Sequence, residues 1–238
     1  MDRARSFGTV AATYAAVRPT YPVDAVQWAL FDAKAPKRVV DLGAGTGKLT
    51  SIVAGLGHDV LAVDPDEAML ATLSVRCAQA IVGSAEDIPL PDNAADAVIG
   101  GQSYHWFDHA RSTPEIARVL KPKGTVAWLW NERDERVAWV ADLGRIMRSE
   151  DAGAQVLDEP GHFSHFERLD FPHEQRMDVE SLVALAASRS YVITATPEQR
   201  VATLDGVREL AATHPDLKGR IEFDLPYRTA VFRAKLRN

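Results

Sequence analysis

Five short apolar runs are separated by stretches whose apolar residues repeat at helical spacing: RVVDL (38–42), DVLAVD (59–64), AIVG (80–83), DAVIGG (96–101) and TVAWLW (125–130). No other feature constrains the chain as much. Each run is nearly continuous in apolar residues, as strands covered on both faces are. Helical connections of ~10–15 residues between such strands imply parallel crossovers. Those crossovers are right-handed, so few topologies remain. The expected class is α/β, with helices on both faces of one sheet.

Pro19 and Pro22 interrupt a polar arm, and Val23, Val26, Leu30 and Phe31 predict a helix closed by Pro36. DEAMLATLSVRCA (66–78) reads as a helix whose first turn carries acids suited to its dipole. HARSTPEIARVL (109–120) reads as another, followed by KPKG as a turn. Beyond Asn131 the pattern changes: WVADLGRIM, SLVALAAS and PEQRVATLDGVRELAAT are helical, FERLDF is a strand, and IEFDLPYRTAVFRAKL is a late strand or hairpin. We divide one domain, 1–238, into an N-terminal arm and helix (1–36), a core (37–131), an appendage that includes a sheet strand (132–215) and a final strand region (216–238).

The net charge of −6 on 238 residues argues against holding nucleic acid by bulk charge. Cys77 is the single cysteine, so neither an intrachain disulfide nor a Cys-based zinc site is expected. His162 and His165 have H-x-x-H spacing but no Cys or carboxylate near them in sequence, so no metal is expected there. The first residues carry no apolar signal region, and no run of 18 uncharged apolar residues occurs, so a cytoplasmic protein without membrane insertion is expected.

VVDLGAGTGKLT (39–50) puts a strand, a glycine turn and a helix in succession, the arrangement that brings backbone N–H groups to a ligand. A P-loop fails because Leu42 and Leu49 stand where Gly and Ser or Thr are needed. A dinucleotide fingerprint fails at Lys48, where its third Gly belongs. What remains is D-x-G-x-G-x-G from Asp41, which resembles the first motif of the class I S-adenosylmethionine (SAM)-dependent methyltransferases. SAM carries an ammonium and a sulfonium but no phosphate, which suits an acidic site. Asp64 ends the second run, 21 positions after Gly43, where a carboxylate can accept from both ribose hydroxyls; a dehydrogenase has an acid there too.

The resemblance implies a Rossmann-like seven-stranded mostly parallel sheet with a helical insert before the last strand. It implies SAM as cofactor, S-adenosylhomocysteine as product, and a cofactor site of Asp41, Gly43, Ala44, Gly45, Asp64, Pro65 and Met69. GSAEDIPLPD is similar to the family's adenine segment, which assigns Ser84, Ala85 and Glu86, with Ser84 replacing the usual Asp. QSYHWFD, SRSY and LPYRT resemble the small-molecule, type 11 branch, which includes trans-aconitate methyltransferase-like proteins. In such relatives an N-terminal arm closes over SAM; Tyr14 and Arg18 match it, and Arg18 could pair with the SAM carboxylate. Gln102 and Trp106 would wall the pocket.

The expected reaction is methyl transfer to a small-molecule acceptor, with O-methylation of a hydroxyl or carboxylate favoured. His105 is the candidate base for a neutral acceptor, and Tyr104, Trp130, Asn131, Arg189 and Tyr191 are candidates to face the acceptor. The Asn- or Asp-Pro-Pro motif of adenine or glutamine methylation is missing after DAVIGG. The alternatives are a SAM-binding regulatory protein without transfer and a nicotinamide-dependent oxidoreductase. Oligomeric state is open.

Overall fold

The structure, a computed structural model, describes residues 17–31, 33, 35, 37–73, 78–147, 156 and 161–237. Strands β1 (Arg38–Leu42), β2 (Asp59–Asp64), β3 (Ala78–Val82), β4 (Ala95–Gly101), β5 (Leu120–Arg133), β6 (Glu167–Met177) and β7 (Phe223–Lys235) form one sheet in the order β3-β2-β1-β4-β5-β7-β6. The pairs among β1 to β5 are parallel, while β7 runs antiparallel to both β5 and β6. The result is a mostly parallel α/β sheet of the Rossmann-like kind.

Strand periodicity divides the apolar residues between two faces. Val39, Val60, Ala97, Ile99, Ala127 and Leu129 pack with α1 (Val23–Ala29) and α2 (Lys48–Gly55) on one face. Val40, Leu61, Val63, Val98, Val126 and Trp128 pack on the other with Ile116 and Val119 of α4 (His109–Val119). Because both faces are covered, the strands read as continuous apolar runs. Asp66 begins the short α3 (Glu67–Leu70), its carboxylate accepting from the N–H groups of Ala68 and Met69 at 3.0 and 3.2 Å.

Helix α5 (Ala138–Ile146) leads into β6, and α6 (Val179–Ala187), α7 (Ser190–Ile193) and α8 (Pro197–Thr213) are inserted between β6 and β7. They bury a third cluster, including Trp139, Leu143, Met177, Leu182, Leu210 and Tyr227. Thr196 and Gln199 close a reciprocal capping box at the start of α8.

Several local expectations change. The N-terminal helix stops at Ala29, and Phe31 adopts φ 56°, well before Pro36, which lies outside the described residues. The helix expected over 66–78 is helical only from Glu67 to Leu70; residues 74–77, Cys77 among them, lie outside the described residues. KPKG is part of β5, where Lys123 takes φ 65° and the register against β4 shifts. The last segment is one long strand. The strand expected at FERLDF extends to Met177 through Pro172, which is tolerated because β6 is the sheet edge and needs no ladder N–H on its open side. Among the described residues no helix is long and apolar enough to cross a membrane.

Candidate active site

Strand order reverses between β1 and β4, and a cavity of about 400 Å3 opens at their carboxyl ends. In doubly wound sheets ligands occupy this crevice, and small-molecule pockets span ~300–1,000 Å3.

Asp41, near the end of β1, is 1% exposed and lines the cavity. Thr50 Oγ1 donates to its Oδ2 at 2.6 Å, whereas Oδ1 is buried without a hydrogen-bond partner among the described residues. Burial pushes its carboxyl up to about 7, helped by the Asp64 charge and opposed by the Thr50 hydrogen bond. The next turn is pressed against the segment that follows β4. Gly43 has φ 74°, and a Cβ there would lie 2.5 Å from Ser103 Cβ, while Ser103 Oγ donates to the Leu42 carbonyl at 2.8 Å. Only glycine satisfies both demands.

Asp64, at the end of β2, holds two loops. Its Oδ2 accepts the Gly45 N–H and its Oδ1 the Asp66 N–H, each at 2.8 Å. Burial raises its pKa, and these two backbone bonds oppose the rise. Each oxygen keeps a second acceptor site for a ligand hydroxyl. The helix cap is Asp66, so Asp64 does not serve as one.

The segment after β3 brings Ser84, Ala85 and Glu86 to the cavity wall. It is pinned from α4: Glu115 accepts the Ile88 N–H at 2.9 Å, and Arg118 donates to the Ile88 and Leu90 carbonyls at 3.0 and 2.8 Å. Glu86 accepts the Asp108 N–H at 2.9 Å. At the end of β4, Gln102 adopts φ 57° and its Nε2 donates to the Asn131 carbonyl at 3.0 Å.

The methyltransferase domain family, type 11, matches residues 40–128. The chain is 44% identical to an uncharacterized methyltransferase of Mycobacterium tuberculosis, over 99% of this chain and 97% of that protein. The chain belongs to the class I SAM-dependent methyltransferases. An uncharacterized methyltransferase-like protein of Schizosaccharomyces pombe is 33% identical over 97% of this methyltransferase and 95% of its own length. Among solved structures, a protein described as a type II methyltransferase from Anaeromyxobacter dehalogenans superimposes with a TM-score of 0.67 at 25% identity, covering 92% of this chain and 96% of that one.

Of the donor-side candidates, Arg18, Asp41, Gly43, Ala44, Gly45, Asp64, Pro65, Met69, Ser84, Ala85, Glu86 and Gln102 all line the methyltransferase's cavity. Tyr14 lies outside the described residues. Trp106 also lines the cavity and is 46% exposed. Of the acceptor-side candidates, Asn131 and Arg189 line it and the others do not. Tyr104 and Trp130 are buried in an aromatic cluster with Trp128, ring centroids 5.2 Å apart for Tyr104–Trp128 and 5.9 Å for Tyr104–Trp130. Tyr191 is exposed on α7. His105 is exposed on a turn of 3-10 helix, its ring 4.9 Å from that of Trp106. Among the described residues the cavity wall carries no histidine.

Residues 17–21, of which Arg18, Pro19 and Tyr21 line the cavity, are tied to three other segments. Gln175 Nε2 donates to the Val17 carbonyl, Arg18 Nη2 to the Ser188 carbonyl, and Asn131 Nδ2 to the Thr20 carbonyl, each at 3.0 Å. Asn131 Oδ1 accepts from Thr229 Oγ1 at 2.6 Å and lies 3.2 Å from His173 Nε2, in a ring whose pKa is lowered by burial. Tyr21 packs so closely over Gly101 that a side chain there would strike its ring.

Sequence reasoning missed Tyr21, Gly101, Ser103 and Phe107, which also line the cavity; the last three flank Gln102 and Trp106 in GGQSYHWFD, and that adjacency was the signal. It quoted Lys48 only to reject a dinucleotide motif, yet this side chain also lines the cavity. Its position directly after the glycine turn was the signal.

Proposed function

We propose that this methyltransferase moves the methyl group of SAM to an oxygen of a small-molecule acceptor, with S-adenosylhomocysteine as product. The observation that carries the reading is the Asp41 carboxylate, buried on the cavity wall with Oδ1 lacking a hydrogen-bond partner among the described residues. An orphaned buried acceptor beside a cavity is compensated by a donor in the ligand, best a cation. SAM offers its α-ammonium; a nicotinamide dinucleotide offers a pyrophosphate, which this acidic wall disfavours.

On this reading Asp41 takes the ammonium, the free acceptor sites of Asp64 take the ribose hydroxyls, and Ser84, Ala85 and Glu86 border the base. Pro65 and Met69 line the wall between them, and Arg18 ties the arm to the appendage. Bound SAM supplies an electrophilic methyl on a sulfonium, which departs as a neutral thioether. The chain's part is to align the acceptor and exclude water. An acceptor carboxylate is already ionised and needs no base, and Arg189 on the cavity wall, its buried Nε without a hydrogen-bond partner among the described residues, suits such an anion. We therefore favour a carboxylate over a hydroxyl as nucleophile.

Calorimetric titration with SAM, S-adenosylhomocysteine and NAD tests the donor. Preference for NAD, or no binding of either SAM or its product, overturns the reading. A panel of small acids and alcohols, scored by S-adenosylhomocysteine release, tests the acceptor. Tight SAM binding with no turnover over a broad panel would favour the regulatory alternative.

A further inference from the structure

We infer that Glu115 and Arg118, a bidentate pair on α4 outside the cavity, are positioning residues that set which purine base the donor site accepts. This deepens the donor reading above and rests on it.

Residues 83–94, between β3 and β4, form neither helix nor strand. The turn that carries Ser84, Ala85 and Glu86 is closed by an isolated bridge, with the Ser84 N–H 3.3 Å from the Asp87 carbonyl and the reverse pair at 3.4 Å. Both are longer than ordinary N–H···O bonds of about 2.7–3.2 Å, so the turn needs outside support. Glu115 and Arg118 supply it at the next residue. Glu115 Oε1 accepts the Ile88 N–H at 2.9 Å, and Arg118 Nη2 donates to the Ile88 carbonyl at 3.0 Å. Arg118 Nη1 reaches further along, to the Leu90 carbonyl and to Asp92 Oδ1, each at 2.8 Å. The two side chains are joined by Nε to Oε2 at 2.8 Å and Nη2 to Oε1 at 2.6 Å. This pairing holds the Glu115 carboxyl below the usual carboxylate range.

The pair acts on the loop more than on its own helix, because Ile116 and Val119 already bury α4 against the sheet. Neither Glu115 nor Arg118 lines the cavity. Earlier in the turn, Glu86 Oε1 accepts the N–H of Asp108, the N-cap of α4, at 2.9 Å. One helix therefore holds the turn at Glu86 and again at Ile88. On the donor reading Ser84, Ala85 and Glu86 border the base, so α4 fixes the groups that meet its edge. Adenine presents an amino donor and a ring acceptor there, whereas hypoxanthine presents an oxo acceptor and a ring N–H. A wall held in place leaves the wrong edge unpaired, and a wall free to shift pairs with either. Arg118 spreads its fork over Glu115, Ile88, Leu90 and Asp92, a geometry that a lysine ammonium does not reproduce.

The test measures Kd by calorimetry for S-adenosylhomocysteine and for S-inosylhomocysteine, its 6-oxo counterpart, with urea unfolding run beside it. The wild type should prefer the adenine compound by at least about tenfold. Arg118→Lys and Glu115→Gln should stay folded and cut that preference to about threefold or less. Asp92→Asn, which neutralises an exposed partner of Arg118, should keep it. A preference unchanged in folded Arg118→Lys and Glu115→Gln, with both ligands weakened alike, makes the pair a structural tie and overturns the inference. A wild type that binds the two compounds equally also overturns it, and in both cases the donor reading stands. Failure of the wild type to bind either S-adenosylhomocysteine or SAM overturns both.

Discussion

The Oδ2 of Asp64 accepts the Gly45 N–H at 2.8 Å, so the carboxylate that ends β2 also shapes the glycine turn that follows β1. Asp64→Asn would set an amide N–H2 against either the Gly45 or the Asp66 N–H. We expect a loss of about 1–3 kcal/mol in urea unfolding, because one buried donor is left unpaired. SAM affinity should fall at least about tenfold, as the same side chain loses a charged acceptor for ribose. Unchanged affinity in calorimetry would remove Asp64 from the donor site.

With Asp41 as the partner of the SAM ammonium, donor binding should depend on pH. In the free protein its carboxyl titrates at about 7, and an ammonium beside it lowers that value. Binding therefore expels a proton near neutrality, and affinity should rise about tenfold from pH 6 to pH 8 before levelling. Stability of the free protein has the opposite sign: a raised carboxyl pKa contributes stability that is complete below about 3.9 and lost as pH rises through about 7. Thr50→Val removes the hydrogen bond that holds the value down and should move both transitions to higher pH. Calorimetry and thermal melts across pH 5–9 check this.

The two glycines of the turn should respond differently to alanine. At Gly43 the new Cβ meets Ser103 at 2.5 Å and φ is positive, so we expect about 2–5 kcal/mol of destabilisation and loss of SAM binding. At Gly45 a Cβ meets nothing within 4 Å, and only the cost of φ 56° applies, about 1–2 kcal/mol. Chemical denaturation of both variants decides.

His105→Ala separates the two acceptor chemistries. If the nucleophile is a carboxylate, kcat should change less than about threefold, since no proton is removed. A fall of about 100-fold or more, with a lost acidic limb in the pH–rate profile, would make His105 a base and the acceptor a neutral group.

Asn131→Ala should release the arm. The substitution removes the donor to Thr20 and leaves the buried Thr229 hydroxyl without its acceptor, at about 1–3 kcal/mol. Hydrogen exchange at residues 17–21 should accelerate more than exchange in β1 or β4.

That these residues line one cavity was legible because their placement is local. Asp41, the glycines, Asp64 and Ser84–Glu86 each end a strand, and successive parallel strands bring their carboxyl ends to one edge. Tyr104 and Trp130 show where local reading stops. Aromatic residues at the end of a strand suit a pocket wall or a core equally, and the packing of Trp128 against Tyr104 and Phe107 puts both in the core. The full length of β6 was hidden for a related reason: its charged residues and Pro172 lack strand character until β7 supplies a partner from Phe223 onward. Tyr21 reaches the cavity by packing over Gly101, a contact between distant segments that no window of sequence contains.

The apolar cluster of α5, α6 and α8 shares no residue with the clusters on the two faces of the sheet. Substitutions that resize the appendage can therefore accumulate without repacking the strands that carry Asp41 and Asp64. Such a chain is a practical scaffold for engineering: its inserted helices can be diversified as one library while the donor machinery is held constant.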